Sequence, residues 1–320
     1  MKLVFCGTPH FAVPTLEALL AAGHQIPLVV TQPDRPVGRA KELMAPPVKV
    51  AALSASIEVT QPEKIRNNQD FRARLEVIAP DAIVVVAYGR LIPPWMLALP
   101  RLGCINLHAS LLPRYRGAAP IQWAVAMGEV FTGNTTMLLE EGLDTGPVLL
   151  QQALAIGTEQ TAADLFDVLA VGGAPLVVET LAGLDDGLIE PKPQNHAGAT
   201  LAPILSREDG RMNFAARTAT ELKNRWRGFQ PWPGAFTTLD GKKLIVHRLD
   251  AVEVSTFLAP IAAEAGQIHI ENHRLFVACA GNTWLEFLEV QLEGKKRLAA
   301  AEFLRGNALA DGTRLGTAAQ

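Results

Sequence analysis

Lys2-Leu3-Val4-Phe5-Cys6-Gly7-Thr8-Pro9-His10-Phe11-Ala12 is the stretch whose reading sets the fold. It opens as a short apolar run that a glycine turn stops, the pattern of a buried strand. Helical spacing of Leu16, Leu19 and Leu20 follows over Pro14 to Ala22, with Gly23 as the stop. Ile26 to Thr31 is a second apolar run, Ile83-Val84-Val85-Val86-Ala87 the clearest buried strand, and Cys104 to His108 reads as another. Strands alternating with helices predict an α/β fold, a Rossmann-like parallel sheet with helices on both faces. The first turn is not GxGxxG. Pro9 and Phe11 stand where a pyrophosphate needs bare backbone, which argues against NAD or a flavin.

Further along, the chain changes character. With 320 residues, two domains are expected. Between Leu181 and Leu205 Gly, Asp, Pro, Asn and Ala dominate, so residues 1–186 are read as one domain, 187–205 as a linker and 206–320 as a second domain. Ala216 to Arg227 has helical character, and Gly228-Phe229-Gln230-Pro231-Trp232-Pro233-Gly234 must turn because each proline forbids a continuing helix. Short runs at Lys243–Leu249, Gly266–Ile270, Leu275–Ala278 and Trp284–Leu292 then predict a small β-barrel or sandwich.

Hydrophobic residues make up 49% and charged residues 19%, as in an ordinary folded soluble protein. The net charge of −3 does not mark a nucleic-acid binder, but the acidic excess lies in the first 190 residues and the remainder is mildly basic. Cys6, Cys104 and Cys279 form neither a CxxC pair nor a disulfide framework, so a reducing cytoplasm is expected and a zinc site is not. The apolar start is too short for a signal peptide or a membrane span.

Asn106 and His108 are two apart in a predicted strand, so both side chains point to one face at its carboxyl end. Ligands bind at that edge in open parallel sheets. Side by side, an Asn amide and an imidazole can donate to an oxygen that gains negative charge. Alone, the pair reads sooner as a satisfied structural strand end than as a catalytic pair. Asp144 lies between two glycines in Gly142-Leu143-Asp144-Thr145-Gly146, a tight loop; near His108 its carboxylate would fix the ring's tautomer and take a proton from an attacking amine. Otherwise it is a turn-forming Asx residue.

The run Asn106-x-His108-x-Ser110-Leu111-Leu112-Pro113-x-Tyr115-Arg116-Gly117-Ala118-Ala119-Pro120, with Gly142 to Gly146, resembles the formyltransferases that use 10-formyltetrahydrofolate. Thr31-Gln32-Pro33-Asp34-Arg35-Pro36-x-Gly38-Arg39, Pro231-Trp232-Pro233-Gly234, Gln291-x-Glu293-Gly294-Lys295-Lys296-Arg297 and Ala301 to Gly306 extend the resemblance over residues 3 to 307. These stretches are closest to the members that act on methionyl-tRNA. The resemblance implies a Rossmann-like formyltransferase domain followed by an OB-like β-barrel that binds tRNA. It also implies direct formyl transfer from the folate to the α-amine of initiator methionyl-tRNA. Asn106 and His108 would stabilise the oxyanion, Asp144 would support His108 and the proton traffic, and Ser110, Leu111, Leu112 and Pro113 would line the folate site. No metal is implied.

Thr31 to Val50 carries Arg35, Arg39 and Lys41 among four prolines and reads as a long functional loop whose cations can reach a phosphate backbone. In the resembled family this loop enters the acceptor end of the tRNA, with Arg39 at the recognition arginine; by analogy Lys295, Lys296 and Arg297 contact phosphates. The chain departs from the family where Ile204 and Arg207 stand at lysine positions and Asn213-Phe214 replaces Asp-Trp. Two other readings stay open, a sister formyltransferase acting on a sugar-nucleotide or small-molecule amine and a non-catalytic binding module. A monomer without membrane contact is expected.

Overall fold

The structure, a computed structural model, describes residues 1–37, 42–253, 255, 257 and 263–316. It divides into two compact units, residues 1–121, 131–156 and 164–203 forming the first and residues 122–130, 157–163 and 204–320 the second.

The first unit runs β1 (Lys2–Gly7), α1 (Val13–Ala21), β2 (Gln25–Val30), β3 (Arg35–Val37), β4 (Glu42–Met44), α2 (Pro47–Ser54), β5 (Val59–Thr60), α3 (Gln69–Ile78), β6 (Ala82–Val86), α4 (Pro94–Leu97), β7 (Cys104–His108), the start of α5 (Pro120–Ala126, whose residues from Gln122 on belong to the second unit), β8 (Phe131–Leu138), β9 (Val148–Ala155) and α6 (Ala162–Asp185). Its main sheet has the order β5-β2-β1-β6-β7-β8-β9. Val4, Cys6, Ile83 and Val85 face a core that includes Phe71 and Leu75 of α3, while Leu3, Phe5 and Val84 point the other way and are as fully buried. Burial on both faces is why β1 and β6 read as unbroken apolar runs. Gly7 is required at the first turn because a Cβ there would lie 2.8 Å from the Ala12 Cβ and 3.1 Å from the Val86 carbonyl.

Strands β5 to β7 pair in parallel as expected, but β8 and β9 join antiparallel. Their sequences hide them, because Asn134, Thr135 and Thr136 are buried polar residues whose side chains hydrogen-bond inward. α6 has the length and composition of a membrane span, yet half of its most apolar window is buried. Gly173 lets it approach β7, since a Cβ there would meet Leu107 at 2.7 Å.

The long loop expected over Thr31 to Val50 is more ordered than that. β3 and β4 pair antiparallel, and α2 begins at Pro47, the first helical position that proline favours. Of residues 187–205, which local composition marks as a linker, 187–203 belong to the first unit: Lys192 exchanges backbone hydrogen bonds with Val148, while Ala202 donates to the Arg116 carbonyl and accepts from the Ala119 N–H.

The second unit holds α7 (Ala219–Gly228), β10 (Phe236–Leu239), β11 (Lys242–Val252), β12 (Ile268–Glu271), β13 (Arg274–Cys279), β14 (Thr283–Leu292), β15 (Arg297–Ala299) and α8 (Ala300–Gly306). The strands form one antiparallel sheet in the order β10-β11-β14-β13-β12, with β15 on β14. Asp240-Gly241 and Asn272-His273, all four at positive φ, make its two-residue turns. α7 starts at Ala219, later than the expected Ala216, because Thr218 and Glu221 form a capping box. Phe214, at the departure from the family pattern, is buried in the core beside Phe287, whereas Ile204 is exposed.

Candidate active site

β7 buries both Asn106 and His108 at its carboxyl end. His108 Nε2 lies 2.9 Å from the Tyr115 carbonyl oxygen. A carbonyl only accepts, so Nε2 carries the proton and donates, and the ring atom left for other work is Nδ1. Nδ1 faces Asp144 Oδ2 at 3.7 Å, an ion-pair separation rather than a hydrogen bond. The tautomer is therefore fixed by Tyr115, and not by Asp144 as the sequence suggested. Nδ1 can give a proton only when the ring is doubly protonated, and otherwise it accepts one.

The Asp144 side chain is only 14% exposed, and its Oδ2 also accepts from the Gly117 backbone N–H at 2.8 Å. The two loops that meet at His108 each carry a non-glycine residue in the left-handed region, Tyr115 at φ 60° and Asp144 at φ 50°. Such conformations are costly and concentrate at functional sites. Among the described residues the Asn106 side-chain amide has no hydrogen-bond partner, although the residue is 8% exposed. The amide is not sealed from solvent, so it stands open to a ligand at the carboxyl end of β7.

Of the residues expected to line a folate, Leu112 is buried and Leu111 and Pro113 are half-buried. Ser110 is fully buried and its hydroxyl donates to the Arg114 carbonyl at 2.7 Å, so it shapes the loop from within. Arg35 is exposed on β3; Arg39 and Lys41 lie outside the described residues. Lys295 and Lys296 are exposed between β14 and β15, while Arg297 pairs with Glu289. Burial pushes the thiols of Cys104 and Cys279 up to about 12 and that of Cys6 well above its usual value, so no cysteine offers a thiolate. Among the described residues no three His, Cys, Asp or Glu side chains converge as metal ligands.

The formyl transferase family profile matches residues 1–181, and the profile of the formyl transferase C-terminal domain matches residues 204–308. A methionyl-tRNA formyltransferase of Acidobacterium capsulatum is 64% identical over 99% of this chain and 100% of its own length. That of Koribacter versatilis is 58% identical over 96% of each. The chain belongs to the methionyl-tRNA formyltransferase family. Two solved structures share the fold at lower identity. WlaRD, a sugar 3N-formyl transferase crystallised with dTDP and 5-N-formyl-THF, has a TM-score of 0.63 at 16% identity and covers 92% of this chain and 99% of its own. The N-formyltransferase of Helicobacter canadensis, in complex with folinic acid and dTDP-3-aminofucose, has a TM-score of 0.63 at 17% identity and covers 90% and 98%.

In this family member the loop after β7 is clamped from β8 and β9. The Thr135 hydroxyl donates to the Ser110 carbonyl at 2.6 Å and accepts from the Leu112 N–H at 3.2 Å and from Gln151 Nε2 at 2.9 Å. Gln151 also donates to the Leu112 carbonyl at 2.9 Å. Thr135→Val keeps the shape but strands these groups, and should cost on the order of 1–3 kcal/mol with a raised KM for the folate. Urea melts read the stability, and a shift below about 0.5 kcal/mol would show that the loop does not depend on the clamp. Neither Thr135 nor Gln151 has a sequence signal beyond being polar in a strand.

Proposed function

We propose that this chain transfers the formyl group of 10-formyltetrahydrofolate to the α-amine of initiator methionyl-tRNA, for translation initiation, with Asn106, His108 and Asp144 as the catalytic residues. The observation that carries the reading is the meeting of these three at one end of β7, with the Asn106 amide unengaged. A formyl oxygen that gains charge needs fixed N–H donors, and the site offers them. When bound, the folate supplies the activated formyl carbon. The Asn106 amide donates to its oxygen as negative charge develops. Nδ1 of His108, which Tyr115 leaves free, donates to that same oxygen when the ring is doubly protonated. The Asp144 carboxylate takes up the proton that the attacking amine loses as its bond to the formyl carbon forms; the bond from that carbon to N10 then breaks, and N10 leaves carrying a proton in exchange. Leu111 and Pro113 line the folate side.

The full-length likeness to methionyl-tRNA formyltransferases supports the acceptor. We place the catalytic domain at residues 1–186, with residues 187–203 packed into the same unit, and a tRNA-binding domain at 206–320, in a cytoplasmic monomer. Buried free thiols suit that compartment, and the constellation is complete within one chain. Arg35, Arg39, Lys41, Lys295 and Lys296 are the proposed tRNA contacts; Arg297 is already engaged by Glu289. The test is an assay with 10-formyltetrahydrofolate and charged initiator or elongator methionyl-tRNA, with a dTDP-amino sugar as the competing acceptor. Formylation of the sugar alone, or of nothing, sinks the proposal. Arg39→Ala should raise the KM for tRNA and leave that for folate unchanged; equal loss of both would count against the Arg39 assignment.

A further inference from the structure

We propose that Gln194 is a positioning residue for Asp144, an inference that rests on the formyl-transfer reading above. Gln194 lies far along the chain from β7, and its side chain is 7% exposed and engaged at both ends. Nε2 donates to the Asp144 carbonyl at 2.9 Å and to the Gly146 carbonyl at 2.7 Å. Oε1 accepts from Nε and Nη2 of Arg116 at 3.1 and 2.7 Å. Arg116 is itself buried, and its Nη2 also lies 3.3 Å from His196 Nδ1. Among the described residues no carboxylate pairs with this guanidinium, so its charge acts on the Gln194 carbonyl and polarises the amide whose other end holds the Asp144 loop.

The contacts close a circuit. Gly117, the residue after Arg116, donates its backbone N–H to the Asp144 carboxylate, while Gln194, aligned by Arg116, holds the Asp144 main chain. Asp144 sits at φ 50°, a conformation that an L residue keeps only when its surroundings impose it. Two hydrogen bonds to the carbonyls on either side of Thr145 impose it here. Gln194 touches no reacting atom in this scheme; it acts through the place and angle of the Asp144 carboxylate.

Gln194→Ala should lower kcat by about 10- to 100-fold, because misplacing a reactive group by about an ångström has that effect. KM for folate and for methionyl-tRNA should each change less than about threefold. The deciding measurement is a double-mutant cycle: in an Asp144→Asn background, Gln194→Ala should add less than about threefold, since the group it positions is already disabled. Gln194→Glu guards against a folding defect. It keeps the volume and the acceptor for Arg116 but sets an acceptor against the two carbonyls, and should lose activity to the same degree. A kcat within about threefold of wild type in both variants, or a full multiplicative loss in the Asp144→Asn background, overturns the inference. Absent wild-type formylation overturns the underlying reading instead.

Discussion

Asp144→Asn should lower kcat by about 10²–10⁴, the range that removal of a general acid–base group spans, while the protein folds and melts almost as the parent does. The geometry separates the two outcomes. Asn tolerates the left-handed conformation that Asp144 adopts at φ 50°, as few residues do. Its side-chain oxygen still accepts from the Gly117 N–H, and the main-chain contacts from Gln194 do not involve the substituted group. What is lost is the negative charge 3.7 Å from His108 Nδ1 and the ability to take a proton from the amine. Steady-state kinetics beside a thermal melt check both halves. A kcat within about threefold of wild type removes Asp144 from the proton path, and a collapsed melting temperature would make it a structural Asx residue.

The parts of this protein that sequence discloses are those whose cause is local. β1 and β6 announce themselves because burial on both faces demands unbroken apolar runs, and α7 shows its start in the pair Thr218 and Glu221. Asn106 and His108 are legible as a pair because strand period two puts them on one face. β8 and β9 are not, since Thr135 and Thr136 point inward to partners on other elements and break the alternation. Gln194 is less legible still. It stands in a stretch rich in Gly, Pro and Asn, and its partners at 116, 144 and 146 come from two loops distant in sequence. The atom that fixes the His108 tautomer is a backbone carbonyl, for which no residue type is a signal. Sequence thus gives the groups that do chemistry, and long-range hydrogen bonds give the order that lets them do it.

Asn106→Ala puts the other half of the site to the test, and stability and activity should part company. A buried amide that holds the fold together leaves stranded partners when removed, at about 1–3 kcal/mol. Asn106 has no side-chain hydrogen-bond partner among the described residues, so its removal strands nothing. The variant should be as stable as the parent or slightly more so, the trade expected where a polar group is kept for function. Turnover should fall by about 10²–10³, the loss typical of one oxyanion donor, with KM for the folate nearly unchanged because the interaction strengthens only as charge develops. Asn106→Asp should fall at least as far, since it sets a carboxylate against an oxygen that is becoming negative. If instead Asn106→Ala lowers stability by more than about 1 kcal/mol and turnover by less than about tenfold, Asn106 is a structural strand end, and the developing charge is carried elsewhere.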